Sequence, residues 1–175
     1  MFIDRLAQRQ DSKLLDVGPV CAENINVLAR QAVRLYVCDM FIRLHRERDK
    51  TRPFSSVWRH LDYPDESFDG ILLWDLVDRL DDSDAYQLLR LCHTMLKRGG
   101  MLVVFFLGEQ GDQELANSFV IGEEGFKVYT RAQTHLRLPL RRRNARDVLE
   151  MLSPFNLIKS IICSNGLREF LLQRI

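Results

Sequence analysis

The run Phe68-Asp69-Gly70-Ile71-Leu72-Leu73-Trp74-Asp75 is almost unbroken in apolar character. A segment of that length without polar alternation belongs in a strand buried on both faces, and such strands occur in parallel sheets with helices above and below. Residues 101–107 have the same character and read as an adjacent central strand. Between the two runs, Tyr86, Leu89, Cys92 and Leu96 recur at helical spacing, with Asp82 or Ser83 available as a cap and Gly99-Gly100 as the stop. Strand, helix, strand in this order predicts a doubly wound α/β sheet. Asn165-Gly166, set between the apolar runs 156–163 and 167–174, is a strong hairpin signal, because both residues tolerate the positive φ of a type I′ turn. The sheet is therefore expected to end antiparallel, which argues against a dinucleotide dehydrogenase, whose strands would continue in parallel.

From the N-terminus, residues 2–9 read as at most a short helix and 13–17 as the first strand. A helix over 24–31 and a strand over 33–39 follow. Residues 41–50 read as a helix with a basic outer face, stopped by Pro53, and 54–58 as a further short strand. The alternation breaks at 108–143, an irregular insertion with Gly108, Gly111, Gly122 and Gly125. It is read as a short helix near 114–119 followed by a strand-like piece over 126–140. Asn144 or Asp147 starts a helix through Leu152, and Pro154 separates it from the terminal hairpin.

The chemistry concentrates at the first strand's end. In Asp16-Val17-Gly18-Pro19-Val20-Cys21-Ala22-Glu23-Asn24, a strand runs through an acid and a glycine turn into a helix. Loops of this kind lie under nucleotides, and glycine occurs there because a Cβ would block the backbone's approach to the ligand. A full version would read D-x-G-P-G-x-G-E-N; here Val20 and Ala22 replace the second and third glycines. Asp39 ends the second strand about 20 residues beyond the glycine turn, where a carboxylate can accept both hydrogen bonds of a ribose diol. A solvated strand-end acid is the other reading of Asp39.

With these pieces in place, the chain from about Lys13 onward resembles the class I S-adenosylmethionine-dependent methyltransferases. The stretch Tyr63-Pro64-Asp65-Glu66-Ser67-Phe68-Asp69 is similar to the family's P-D-x-S-F-D entry into its fourth strand. Leu96-Lys97-Arg98-Gly99-Gly100-Met101-Leu102 is similar to its L-K-P-G-G-x-L, with Arg98 in place of proline. The resemblance implies a single domain over 1–175 with a seven-stranded sheet, order 3-2-1-4-5-7-6, and the last strand reversed. It implies S-adenosylmethionine as the cofactor, with Asp16, Gly18 and Val20 in the cofactor loop, Asp39 at the ribose, and Trp74 and Asp75 bordering the methyl group. Asp75 is the one placed candidate for a general base, with capping of the strand-end turn as its alternative role. The departures are Val20, the lack of an acid near Val57-Trp58-Arg59 to hold the adenine, and Asp78-Arg79 in place of Glu-His.

Charge sets the partner class. The whole chain is balanced, 25 basic against 24 acidic residues, but the insertion and the helix after it gather Arg137, Arg141, Arg142, Arg143 and Arg146. These are solvated charges, or they meet an acidic protein surface or phosphates. The 4 cysteines include no C-x-x-C, so neither a zinc site nor a disulfide framework is expected; they read as reduced core residues. His93 reads as a packing or surface residue. No membrane span or signal peptide is apparent, and a cytoplasmic location is expected. Two functions follow: a methyltransferase-fold interaction module with weak or lost cofactor binding, or an active methyltransferase with an atypical loop.

Overall fold

The structure is a computed structural model; it describes residues 2–31, 34–47, 54–107, 115–122, 127–163 and 166–175. A helix α1 (Phe2–Ala7) precedes the alternating part: β1 (Lys13–Asp16), α2 (Ala22–Ala29), β2 (Arg34–Val37), α3 (Met40–Glu47), β3 (Phe68–Trp74), α4 (Asp82–Met95) and β4 (Leu96–Phe106). A ribbon of β5 (Leu115–Ile121) and β6 (Val128–Arg137) then leads to α5 (Ala145–Met151), β7 (Asn156–Ile162) and β8 (Arg168–Gln173).

The main sheet has six strands in the order β2-β1-β3-β4-β8-β7. β1 through β4 are parallel, and β8 runs antiparallel to both β4 and β7. The expected neighbours are therefore the observed ones, with β3 and β4 central. Gly166 takes φ of +80° beside the final hairpin; Asn165 lies outside the described residues. The seventh strand is not found among the described residues. Where a strand was expected over 54–58, the chain makes a 3-10 turn, Phe54–Leu61, so β2 is an edge.

Handedness explains how the layers close. The step from β1 to β2 moves one way along the sheet and the step from β2 to β3 moves back across β1, so right-handed crossovers place the two connections on opposite faces. Accordingly Val27 and Leu28 of α2 pack with Leu14, Leu72 and Val103. Met40, Phe41 and Leu44 of α3 pack with Leu15, Ile71, Leu73 and Leu102 on the other face, together with Leu88 and Leu89 of α4. Each central strand thus feeds both cores, which is why 68–74 shows no polar alternation. α1 approaches β3 closely because Gly70 has no side chain: a Cβ there would lie 2.9 Å from Phe2 Cζ.

The expected helix near 114–119 is instead β5. Leu115 and Phe119 stand four apart, as on a helix face, but the strand is buried on both sides, and a short apolar run of that kind has no distinguishing period. Phe119 and Ile121 enter the α1/α2 core, whereas Ala116, with Leu136 of β6, enters the α3/α4 core. The ribbon therefore straddles the sheet at the ends of β3 and β4. Asn24 fastens it there, donating from Nδ2 to Phe119 O at 2.7 Å and accepting from Ile121 N at 2.8 Å. Asp81, rather than Asp82 or Ser83, caps α4 by accepting from Asp84 N, and Asn144 caps α5.

Asn24→Ala would orphan two buried backbone groups. It is expected to lower stability by about 2 to 4 kcal/mol, read as a shift in the urea midpoint at unchanged slope.

Candidate functional site

In open α/β sheets ligands bind outside the carboxyl ends of the strands, at the point where strand order reverses. Here that point lies beyond β1 and β3, where Asp16, Gly18, Asp39 and Trp74 converge. Asp16 Oδ1 accepts from Gly18 N at 2.9 Å and from Trp74 Nε1 at 2.7 Å. Burial raises the Asp16 carboxyl above its ordinary value, and the two donated hydrogen bonds work against that rise. Asp39 receives Val20 N on one oxygen at 3.1 Å and Ile42 N on the other at 2.9 Å, the second bond closing the first turn of α3.

Trp74 is the unusual member. Its φ is +53°, and the β3–β4 register slips between Leu72 and Trp74. A bulge of this kind re-aims a side chain. The indole is carried over Gly18, so that a Cβ on Gly18 would lie only 2.5 Å from Trp74 Cδ1 and Nε1. Gly18 is thus required by the indole. Phe119 stacks on Trp74 with centroids 5.6 Å apart and rings within 2° of parallel, and Phe105 meets both rings edge-on. A bulky residue in the left-handed region costs about 1 to 2 kcal/mol. The aromatic contacts, about 1 kcal/mol each, and the bond to the carboxylate, about 1.5 to 3 kcal/mol, exceed that strain.

Val20 does not occupy the loop's interior. The residue is 60% exposed and its backbone is not left-handed, so it carries no backbone strain. Trp58 packs in the α3/α4 core, whereas Trp74 belongs to the opposite one.

Asp75 has 0% exposure. Its Oδ2 accepts from Arg79 Nε at 3.0 Å and Nη2 at 2.8 Å, an ion pair sealed from solvent on both sides. A general base has to reach the proton it removes, and this carboxylate faces the protein interior. Arg79 also donates to Leu138 O and Leu115 O, tying the ribbon to the turn after β3. Arg143 is likewise internal: its side chain, 3% exposed, donates to Val77 O, Leu80 O and Asp82 Oδ1 and lies 3.6 Å from Asp78 Oδ1. It leaves the expected basic surface to Arg137, Arg141, Arg142 and Arg146, which are exposed. Nothing in the sequence separates Arg143 from its two arginine neighbours.

The other residues singled out in the sequence have plain positions. His93 packs edge-on against Phe155, and burial lowers its pKa. Cys21, Cys38 and Cys92 are buried, while Cys163 is half-exposed. Among the described residues no three His, Cys, Asp or Glu side chains group as metal ligands, and no helix is long and apolar enough to cross a membrane.

The strand order, reversed last strand and switch-point site define the class I methyltransferase fold. Residues 15–104 match the model of the methyltransferase domain family, and the chain belongs to that family of S-adenosylmethionine-dependent enzymes. Among solved structures it is similar to a SAM-dependent methyltransferase from Aquifex aeolicus, with TM-score 0.59, 10% identity, and 99% of this chain and 87% of that one covered. It is also similar to 1,6-didemethyltoxoflavin-N1-methyltransferase from Burkholderia thailandensis, with TM-score 0.58, 14% identity, and coverage of 94% and 72%. A third likeness is to the N-methyltransferase NodS from Bradyrhizobium japonicum, with TM-score 0.54, 16% identity, and coverage of 98% and 92%. These likenesses are of fold. No curated protein matches the chain.

Asp78 supplies a pH test of this region. Burial pushes its carboxyl up to about 7 from 3.8, while Leu107 N donates to its Oδ2 at 2.7 Å. Because the folded-state value is the higher, the folded protein binds more protons between pH 4 and 7, and stability from this group falls as pH rises through that window. The melting temperature is expected to drop from pH 5 to pH 8 by less in Asp78→Asn than in the wild type.

Proposed function

We propose that this chain is a methyltransferase-fold interaction module whose cofactor pocket is filled by its own Trp74. The observation that carries this reading is the indole lying on Gly18 and donating to Asp16. As arranged, these residues do not accommodate S-adenosylmethionine: a ligand approaching the glycine backbone would have to displace the indole, its bond to Asp16 and its stacking on Phe119 together. Asp39, which the resemblance assigns to the ribose, is engaged by two backbone N–H groups. The sealed Asp75–Arg79 pair offers no base to a methyl acceptor. No methyl-transfer step is therefore assigned to these residues.

The second reading, an active methyltransferase, is favoured by the retention of Asp16, Gly18 and Asp39 at their family positions. Titration with S-adenosylhomocysteine separates the two. The wild type and Val20→Gly are expected to bind weakly or not at all, since both keep the indole over Gly18. Trp74→Gly also removes the left-handed strain and is expected to gain at least about tenfold in affinity, equivalent to about 1.4 kcal/mol. Low-micromolar binding by the wild type would restore the enzyme reading.

For the module, the proposed partner is an acidic protein surface or a phosphate-bearing chain on the exposed Arg137, Arg141, Arg142 and Arg146. Such association weakens as salt screens it. Arg141→Glu with Arg142→Glu is expected to abolish salt-sensitive retention on phosphocellulose without changing the melting temperature. Unchanged retention would assign these charges to solvent.

A further inference from the structure

A second concavity lies on the α1/α2 face of the sheet and shares Trp74 and Phe105 with the site above. It is a groove of about 450 Å³ walled by α1, the ribbon and the face of β3, β4, β8 and β7. Two cross-strand rows make its floor. The first runs Leu72, Val103, Leu171, Lys159, and the second runs Phe105, Glu169, Ile161. Both rows follow from strand register, so the floor is as rigid as the sheet. Phe2, Ile3 and the exposed Asp4 of α1 close one side, and Ile121 and Val128 of the ribbon close the other.

Glu169 stands out in this floor. It is a half-buried acid between Phe105 and Ile161, and its carboxylate has no hydrogen-bond donor and no ion pair among the described residues. Lys159 lies diagonally across the β7–β8 pair at the exposed end, without an ion pair to Glu169. Burial raises the Glu169 carboxyl above its usual range, and the Lys159 and N-terminal charges oppose that rise. The size is that of a small-molecule site, and the lining matches one: apolar and aromatic walls with a few polar groups that fix orientation. A half-buried carboxylate without a hydrogen-bond donor in such walls selects a ligand that brings its own N–H donor, because that bond is then made away from water.

We infer that this groove binds a small, flat, mostly apolar amine, with its ring against Phe105 and Val103, its amino group on Glu169 and the open end at Lys159. The inference goes beyond the interaction-module reading and does not rest on it.

Tryptamine is a suitable probe, and indole-3-propionate is its acidic counterpart with a similar ring. In methyl-detected NMR of the full chain, tryptamine is expected to shift Val103, Leu171 and Ile161 and to bind at least about tenfold more tightly than indole-3-propionate. Glu169→Gln should erase that preference while leaving the melting temperature near the wild type's. Ile161→Trp, at the half-buried rim, should fill the groove and abolish binding of both probes. Equal affinity for the two probes, tryptamine shifts confined to other residues, or no saturation by tryptamine at millimolar concentration would each overturn the assignment. In those cases Glu169 is only a half-buried charge on the face of an interior strand.

Discussion

The hydrogen bond from Trp74 to Asp16 is the contact around which this molecule is arranged. It joins the ends of two central strands across the glycine turn, and it does so with the largest side chain available. Once the indole lies there, Gly18 can carry no side chain, and the bulge in β3 is needed to aim the ring. Phe119 must also be delivered onto its exposed face. The ribbon supplies Phe119 and is held at one end by Asn24. The loop glycine, the strand irregularity and the insertion thus serve one packing arrangement.

The other end of the ribbon is held by charge. Arg79 and Arg143 are buried guanidinium groups that reach the carbonyls of Leu115 and Leu138 and of the turn after β3, each facing an aspartate. Buried ion pairs of this kind are poor sources of net stability, because desolvation offsets most of the Coulomb gain. What they do provide is position: a planar fork with several donors fits one arrangement of acceptors. Asp78-Arg79, which departs from the family's usual pair after the fourth strand, becomes intelligible as part of this anchorage.

How much of this was readable beforehand depended on whether the controlling signal was periodic. The central strands announce themselves because burial on both faces removes polar residues from 68–74 and from 101–106, and the final hairpin because Asn-Gly is chemically suited to its turn. The segment 54–61 was misread because a few apolar residues after a proline fit a short strand as well as a 3-10 turn. β5 was misread because a doubly buried strand has no alternation. At the site, the structure brings together Asp16, Gly18, Asp39 and Trp74, which the resemblance had grouped, with Val20 beside them. Side-chain direction there is set by loop and bulge geometry, which is why neither the outward turn of Val20 nor the left-handed Trp74 over Gly18 was legible. Likewise, within Arg141-Arg142-Arg143 only the third turns inward, a choice made by the acceptors waiting at Val77 and Leu80.

The packing of Trp74 also has an optical consequence. The chain contains 2 tryptophans, and both are buried, on opposite faces of the sheet. Trp58 sits in a core that opening the pocket would leave intact. Trp74 is held between a carboxylate and two phenyl rings, so its emission is governed by contacts that vanish when the indole swings into water. Wild-type fluorescence therefore superposes a fixed signal and a variable one. The shift of the variable part to longer wavelength measures the loss of these contacts directly, with no label and no ligand required.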